Sequence, residues 1–251
     1  MPAAVPPAVA APFESIIPSF VVIFIFWLLR LTIDAFDGGS ALAVFNFILG
    51  VPLQKVGGSL IGVVIVKMFS QLLWFFGIHG DSIVNGVMTP IFQVLQDANK
   101  TVSMAGGTPV NIINQSFWDS FAGIGIVGAI IAIVIIAKSK RYKQLNKVAF
   151  IPNLFNINEP MIFGFPLMLN PTFFIPMVFS STILGLLGLF AMQFITFDFN
   201  PSMSLLPFTT PFFVRGFLAG GIKVLVMLLL LLVVNIIIYY PFFKIADKKC
   251  M

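Results

Sequence analysis

Long uncharged apolar stretches alternate along the chain with shorter polar segments that are rich in Gly, Pro and Asn. Residues 120–137 and 224–243 contain no charged residue, and the longest uncharged stretch covers residues 160–197. A helix needs about 20 residues to cross a hydrocarbon core about 30 Å thick, so this last stretch predicts one crossing plus a shorter membrane-embedded piece. The pattern therefore predicts an all-α integral membrane protein.

The apolar segments predict about five transmembrane helices within a single membrane-embedded domain over residues 1–251. These spans cover residues 13–33, 57–76, 117–137, 171–194 and 216–240. Residues 41–56, interrupted by Pro52, are predicted to form a short amphipathic helix at the membrane interface.

Two regions between the spans, residues 77–116 and 148–170, are too polar and too often interrupted by Gly, Pro and Asn for a simple crossing. We predict that both are re-entrant hairpins, because irregular backbone at membrane depth is tolerated where it lines a buried polar cavity. The alternative is that Gly and Pro merely kink ordinary helices.

Basic residues cluster where the predicted spans end. The cluster after the third span comprises Lys138, Lys140, Arg141, Lys143 and Lys147, and the cluster after the fifth comprises Lys244, Lys248 and Lys249. Cytoplasmic loops carry an excess of Lys and Arg, so both clusters, together with Arg30 and Lys55, predict one orientation with a cytoplasmic C-terminus.

Composition excludes several classes of protein. The 251 residues are 59% hydrophobic and only 9% charged, against about 25% charged in soluble domains. The net charge of +5 does not indicate nucleic-acid binding, because the basic residues lie at the ends of apolar segments. One Cys and one His cannot form a disulfide framework or a Cys/His zinc site, so no metal or cofactor is expected. Residues 1–13 lack a basic n-region, so the first apolar segment is expected to be retained.

Glu159 and His79 are the candidate site residues that the pattern itself indicates. Glu159 is the only acidic residue between Asp119 and Asp198, and a carboxylate at the bilayer centre costs about 2.5–3.5 kcal/mol on insertion scales. Either residue alone has a simpler explanation, a hairpin tip among headgroups for Glu159 and an interfacial position for His79. Placed in two separate broken segments, however, they offer opposite walls of one site.

Three polar or aromatic neighbours and one glycine complete the candidate site. Asn156 and Asn158 can donate hydrogen bonds to a carboxylate or a ligand hydroxyl, and Trp74 offers an aromatic face. Gly80 permits close approach of the backbone. Lys67 lies within the second span, where it either snorkels or faces the protein interior, or else contacts the substrate.

Three motifs resemble one family of membrane proteins. Residues 156–166 read Asn-Ile-Asn-Glu-Pro-Met-Ile-Phe-Gly-Phe-Pro, residues 77–80 read Gly-Ile-His-Gly, and residues 5–9 read Val-Pro-Pro-Ala-Val. These motifs resemble the signatures of the IIC permease subunit of the sugar phosphotransferase system, in its lactose/cellobiose/diacetylchitobiose branch. The resemblance covers the whole chain but only the larger C-terminal part of the family's architecture, without the N-terminal helices that form most of its dimer interface.

The resemblance implies a function and a set of partners. It implies a sugar permease in a bacterial cell membrane that binds and translocates a β-linked disaccharide, which is phosphorylated at C6 from a phosphocysteine on a partner IIB subunit, itself supplied through IIA. Glu159 would hydrogen-bond and help to activate the C6 hydroxyl, with His79 close to the same hydroxyl. Trp74 would stack on the sugar, and Asn158, Asn156, Gly80 and Phe208 would belong to the binding site.

One departure from the family pattern concerns Phe208. The family often has Pro-Trp-Thr-Thr-Pro where residues 207–211 read Pro-Phe-Thr-Thr-Pro, so this stacking platform is smaller and sugar preference is expected to differ. Two alternatives to the permease function stay open: an ion-coupled secondary transporter in which Glu159 and His79 bind a proton or ion, and an inactive truncated remnant.

Overall fold

The structure, a computed structural model, describes residues 14, 16–35, 47–48, 59–122, 124–165, 167–194 and 206–250. Over these residues it contains helices and no strand, which confirms the all-α prediction. The helices are α1 (Ile16–Ala35), α2 (Leu60–Phe75), α3 (Gly80–Met104), α4 (Gln115–Phe117), α5 (Val127–Ile136), α6 (Lys140–Leu154), α7 (Glu159–Gly164), α8 (Pro171–Phe194) and α9 (Phe212–Lys248), with a π-helical stretch, Trp118–Ala122, after α4.

The chain divides into two units, Met1–Pro52 and Leu53–Met251. The described part of the first unit consists mainly of α1, a 20-residue apolar helix long enough to cross a membrane. The predicted interfacial segment, residues 41–56, lies outside the described residues except for positions 47–48.

The second unit contains the other apolar helices. Pro171–Gln193 and Phe212–Lys248 are long and apolar enough to cross a membrane, whereas α2 and α5 are shorter apolar helices. Together with α1 these helices overlap the five predicted spans, and the number of membrane crossings stays a prediction. Helix α5 begins ten residues later than the predicted span 117–137, because the π-helical stretch and a non-helical turn precede it.

Helix α9 is longer than the predicted span and is not uniform. It runs from Phe212 to Lys248, with non-helical backbone at Gly220 and Gly221. Gly221 has φ 65°, a left-handed conformation that glycine adopts without steric cost. The glycine pair therefore separates a short first segment, next to the site described below, from the long membrane-compatible part of the helix.

The first predicted hairpin has one helical arm and one non-helical arm. The helical arm is α3, which continues for 25 residues with Pro90 inside it. The non-helical chain then turns back along α3, where the Asn99 side chain bonds both the N–H and the carbonyl of Asn111, at 3.0 and 2.8 Å. The Gln96 side chain accepts from the Ser116 N–H at 3.2 Å. These amides join the two arms instead of interrupting the helix.

The second predicted hairpin is a helix–turn–helix. Helix α6 ends at Leu154, Asn156 adopts φ 62°, and α7 begins at Glu159. The Asn153 amide donates to the Asn158 side-chain oxygen across this turn at 2.7 Å. The turn places Glu159 on the same side of the second unit as His79, at the start of α3.

Gly80 fixes how closely α3 approaches α2. A Cβ atom on Gly80 would overlap the carbonyl oxygen of Ser70. We therefore expect Gly80→Ala to lower the free energy of unfolding by about 1–3 kcal/mol, the usual cost of overpacking, measured by thermal or denaturant unfolding in detergent.

A matched control lies on the same helix. Gly86 is exposed and has no heavy atom within 4 Å of an added Cβ, so Gly86→Ala is expected to be neutral or to stabilise the protein by about 0.5–1 kcal/mol. Equal effects of the two alanines would contradict the close approach of α2 and α3 at Gly80.

Candidate functional site

A cavity of about 330 Å³ lies between the two hairpins in the second unit. Six ionisable side chains line it: Lys67, His79, Asp81, Asp119, Glu159 and Arg215. Three aromatic side chains also line it: Trp74, Trp118 and Phe208. The size lies at the lower end of the range for small-molecule sites, and the combination of aromatic faces with polar groups suits a polar ligand that has an apolar face.

His79 and Glu159 face each other in this cavity. His79 precedes α3 and Glu159 is the first residue of α7, and the distance from His79 Nε2 to Glu159 Oε1 is 3.6 Å. Their side chains are 49% and 45% exposed, so both are accessible to a ligand. The separation exceeds that of a direct hydrogen bond, and a hydroxyl oxygen beside the pair can reach both atoms.

The local structure fixes the tautomer of His79. The Ser82 N–H donates to Nδ1 at 3.1 Å, so His79 is the N-cap of α3, and the Ser82 hydroxyl lies 2.8 Å from the same atom. A backbone N–H can only donate, so Nδ1 carries the lone pair and the ring proton is assigned to Nε2. His79 thus presents an N–H donor to the cavity beside the Glu159 carboxylate.

Trp74 packs against His79. The ring centroids lie 4.2 Å apart with an interplanar angle of 45°. The indole Nε1–H donates to Asp81 Oδ2 at 3.0 Å. Trp74, predicted as an aromatic wall, therefore contacts the imidazole and lines the cavity at the same time.

The Lys67–Asp81 pair is a part of the site that the sequence analysis did not predict. Lys67 Nζ lies 3.1 Å from Asp81 Oδ1, and the Ser70 hydroxyl donates to the same oxygen at 2.8 Å. The Lys67 side chain is only 4% exposed and its Nζ lies 5.3 Å from the centroid of a Trp118 ring. Lys67 therefore faces the protein interior, where it also lines the cavity. The signal available in the sequence was the spacing of Lys67, Ser70 and Trp74 on one face of a helix.

A second charged pair, Asp119 and Arg215, was also missed. Arg215 Nη1 lies 3.6 Å from Asp119 Oδ2, and Gln115 donates to Oδ1 at 2.9 Å. Arg215 also donates to the Pro207 carbonyl oxygen at 2.9 Å. Asp119 lies inside the predicted span 117–137, and an ionisable residue within a membrane segment is a functional candidate by default, which is the rule that could have indicated this pair.

The remaining predicted residues have different positions. Asn156 and Asn158 line the cavity, and the Asn156 amide donates to the carbonyl oxygens of Phe208 and Thr210, each at 2.7 Å. Phe208 is 71% exposed and lines the cavity. Gly80 is not among the described residues that line it, because it is buried against α2.

The fold and the cavity define an all-α integral membrane protein with an internal polar site. The chain belongs to the phosphotransferase-system EIIC family: the family profile "Phosphotransferase system, EIIC" matches residues 1–181. This confirms the resemblance drawn from the sequence motifs.

Individual relatives agree with this assignment. The chain is 39% identical to the lichenan permease IIC component of Bacillus subtilis (strain 168), over 99% of this chain and 56% of that protein. It is 36% identical to the cellobiose-specific EIIC component of Geobacillus stearothermophilus, over 99% and 57%. The crystal structure of ChbC, the IIC component of an N,N'-diacetylchitobiose-specific phosphotransferase system, matches with a TM-score of 0.74 at 34% identity, over 100% of this chain and 59% of that one. The chain thus spans just over half the length of these relatives.

Proposed function

We propose that this chain carries the sugar site of a phosphotransferase-system permease. The substrate is a β-linked disaccharide of the cellobiose, diacetylchitobiose or lactose class, which binds in the cavity, is translocated, and is phosphorylated at C6 by phospho-IIB. The relatives named for lichenan, cellobiose and diacetylchitobiose support this class of substrate.

The observation that carries the proposal is the His79–Glu159 pair beside an aromatic wall. A pyranose ring has hydroxyls around its edge and an apolar face, which match ionisable donors and acceptors next to Trp74 and Phe208. The 3.6 Å separation of Nε2 and Oε1 allows one hydroxyl to contact both groups.

The geometry supports different roles for Glu159 and His79 in phosphoryl transfer. The C6 oxygen attacks phosphorus, an O–P bond forms, the S–P bond to the IIB cysteine breaks, and the thiolate leaves on IIB. The hydroxyl proton passes to the Glu159 carboxylate, the acceptor of the pair, while the His79 Nε2–H donates to the same oxygen and holds it in place. Positioning and charge stabilisation supply most of the rate in such transfers.

The orientation that we propose places the basic segments, residues 138–147 and 244–249, in the cytoplasm of a bacterial cell. Asp247 near the end of α9 accepts hydrogen bonds from the backbone N–H groups of Lys138 and Ser139, at 2.8 and 3.2 Å. Because this contact joins the two basic segments, the positive-inside rule applies to them together and supports a multi-pass protein with a cytoplasmic C-terminus.

Equilibrium binding of radiolabelled cellobiose, diacetylchitobiose and lactose to the chain in detergent tests the proposal. We expect saturable binding of at least one sugar that unlabelled sugar displaces, reduced in His79→Ala and unchanged in the Gly86→Ala control. In vesicles, labelled sugar phosphate should form only when phosphorylated IIB is present. Absence of saturable binding to a folded sample would contradict a sugar site. Uptake that follows an ion gradient without phospho-IIB would support the secondary transporter instead.

A further inference from the structure

Asp81 has contacts that the proposed chemistry does not use. Its Oδ1 accepts hydrogen bonds from Lys67 and Ser70, at 3.1 and 2.8 Å, and its Oδ2 accepts from Trp74 Nε1 at 3.0 Å. The three donors lie on one face of α2, whereas Asp81 lies in the first turn of α3. The carboxylate therefore joins the helix that carries Trp74 to the helix that His79 caps.

The contact between the indole and the imidazole extends this network to the reacting pair. The indole that Asp81 holds packs on the His79 ring at 4.2 Å, and His79 Nε2 in turn faces Glu159. The Ser82 N–H holds only the Nδ1 edge of the imidazole, so the face of the ring is supported by Trp74. An indole free to rotate about its two side-chain torsions would leave that face unsupported.

We propose that Asp81 is a positioning residue for the His79–Glu159 pair. Its hydrogen bond fixes the plane of the Trp74 indole, the indole fixes the His79 imidazole, and Lys67 is the counter-ion of the Asp81 carboxylate. The expected effect of Asp81 on sugar affinity rests on the proposed function, whereas its expected effect on the positions of the Trp74 indole and the His79 imidazole does not.

Two matched double variants separate positioning from charge pairing. The amide double variant, Lys67→Met with Asp81→Asn, removes both charges but keeps a side-chain oxygen that can accept from Trp74. The leucine double variant, Lys67→Met with Asp81→Leu, removes both charges and also that acceptor, and its leucine side chain is similar in size to asparagine. Neither leaves a buried unpaired charge, the usual reason why single substitutions in such pairs fail to fold.

Nuclear magnetic resonance detects changes in the positions of the Trp74 and His79 rings without any sugar. The chain contains one His and three Trp, so the imidazole Cε1–H signal is assigned directly and the indole N–H signals are assigned from Trp→Phe variants. We expect the Trp74 indole and His79 signals to differ between the leucine and the amide double variants, with the Trp27 signal unchanged. Trp74→Phe in the parent chain, which lacks the indole donor, should shift the His79 signal as well. The proposal would be overturned if the Trp74 signal and the His79 signal each had the same chemical shift in both double variants. It would also be overturned if the His79 signal did not move in Trp74→Phe.

Sugar binding gives the second readout. We expect the dissociation constant of the leucine double variant to be about tenfold higher than that of the amide double variant when Trp74 is present, and less than about twofold higher when Trp74 is replaced by Phe. A role of Asp81 in folding alone would give the same ratio with either residue at position 74, and that result would overturn the proposal. If the parent chain binds no sugar, the proposed function fails while the resonance shifts still decide the positioning role.

Discussion

Replacing Glu159 with glutamine should lower the rate of sugar phosphorylation by about 10²–10⁴-fold, the usual contribution of a general base, while sugar affinity falls by about tenfold or less. Glutamine has nearly the same shape and keeps an oxygen that accepts the hydroxyl hydrogen bond, but an amide does not take up the proton. His79 cannot replace it, because the lone pair of its imidazole is on Nδ1 and bonded to the N–H of Ser82.

The measurement is the initial rate of sugar phosphate formation in vesicles with phosphorylated IIB, paired with equilibrium binding in detergent. Asp97→Asn is the matched control, because it neutralises an exposed carboxylate on α3 that does not line the cavity. An unchanged rate in Glu159→Gln would contradict the role of Glu159 as proton acceptor. A loss of affinity as large as the loss of rate would assign the carboxylate to ground-state binding instead.

The membrane-compatible helices were predictable because their signal is local. An uncharged apolar stretch of about 20 residues has few alternatives to a membrane helix, and α8 begins at the predicted residue, Pro171. The starts of the other elements depend on tertiary contacts. Trp118–Ala122 is π-helical where Asp119 meets Gln115 and Arg215, and no local pattern encodes a contact between residues 119 and 215.

Helix α3 shows how tertiary contacts accommodate residues that are locally unfavourable in a helix. Pro90 and Gly86 are unfavourable in helix interiors, and with the Asn residues they indicated that residues 77–116 do not form a simple crossing. In the structure, Asn99 and Gln96 bond the backbone of the returning arm, so their side chains stabilise a hairpin with one continuous helical arm.

The candidate site, like the fold, was predictable only in part. Glu159 and His79 stand out because they are ionisable residues in Gly-, Pro- and Asn-containing segments between apolar spans, and the structure brings them within 3.6 Å. Asp81, directly after the Gly-Ile-His-Gly motif, was overlooked because its partners Lys67 and Ser70 lie on the preceding helix. Only the close packing at Gly80 makes that contact possible.

His79 caps α3 and, in the proposed mechanism, also donates to the sugar hydroxyl, and two amide substitutions should separate these roles. Asparagine can place its side-chain oxygen near the position of Nδ1, and glutamine can place its amide nitrogen near the position of Nε2. We therefore expect His79→Asn to retain the α3 cap and the stability of the chain, but to lose about 10²-fold in phosphorylation rate because the donor facing Glu159 is gone.

His79→Gln should show the reverse. We expect it to lose about 1 kcal/mol in the free energy of unfolding, since the Ser82 N–H loses its cap, yet to phosphorylate sugar faster than His79→Asn because an N–H donor again faces the cavity. Unfolding in detergent and the vesicle assay measure the two quantities on the same preparations. If His79 acted as the proton acceptor, neither amide could replace it and both variants would be equally slow; a faster glutamine variant is therefore the result that separates a fixed donor from a base.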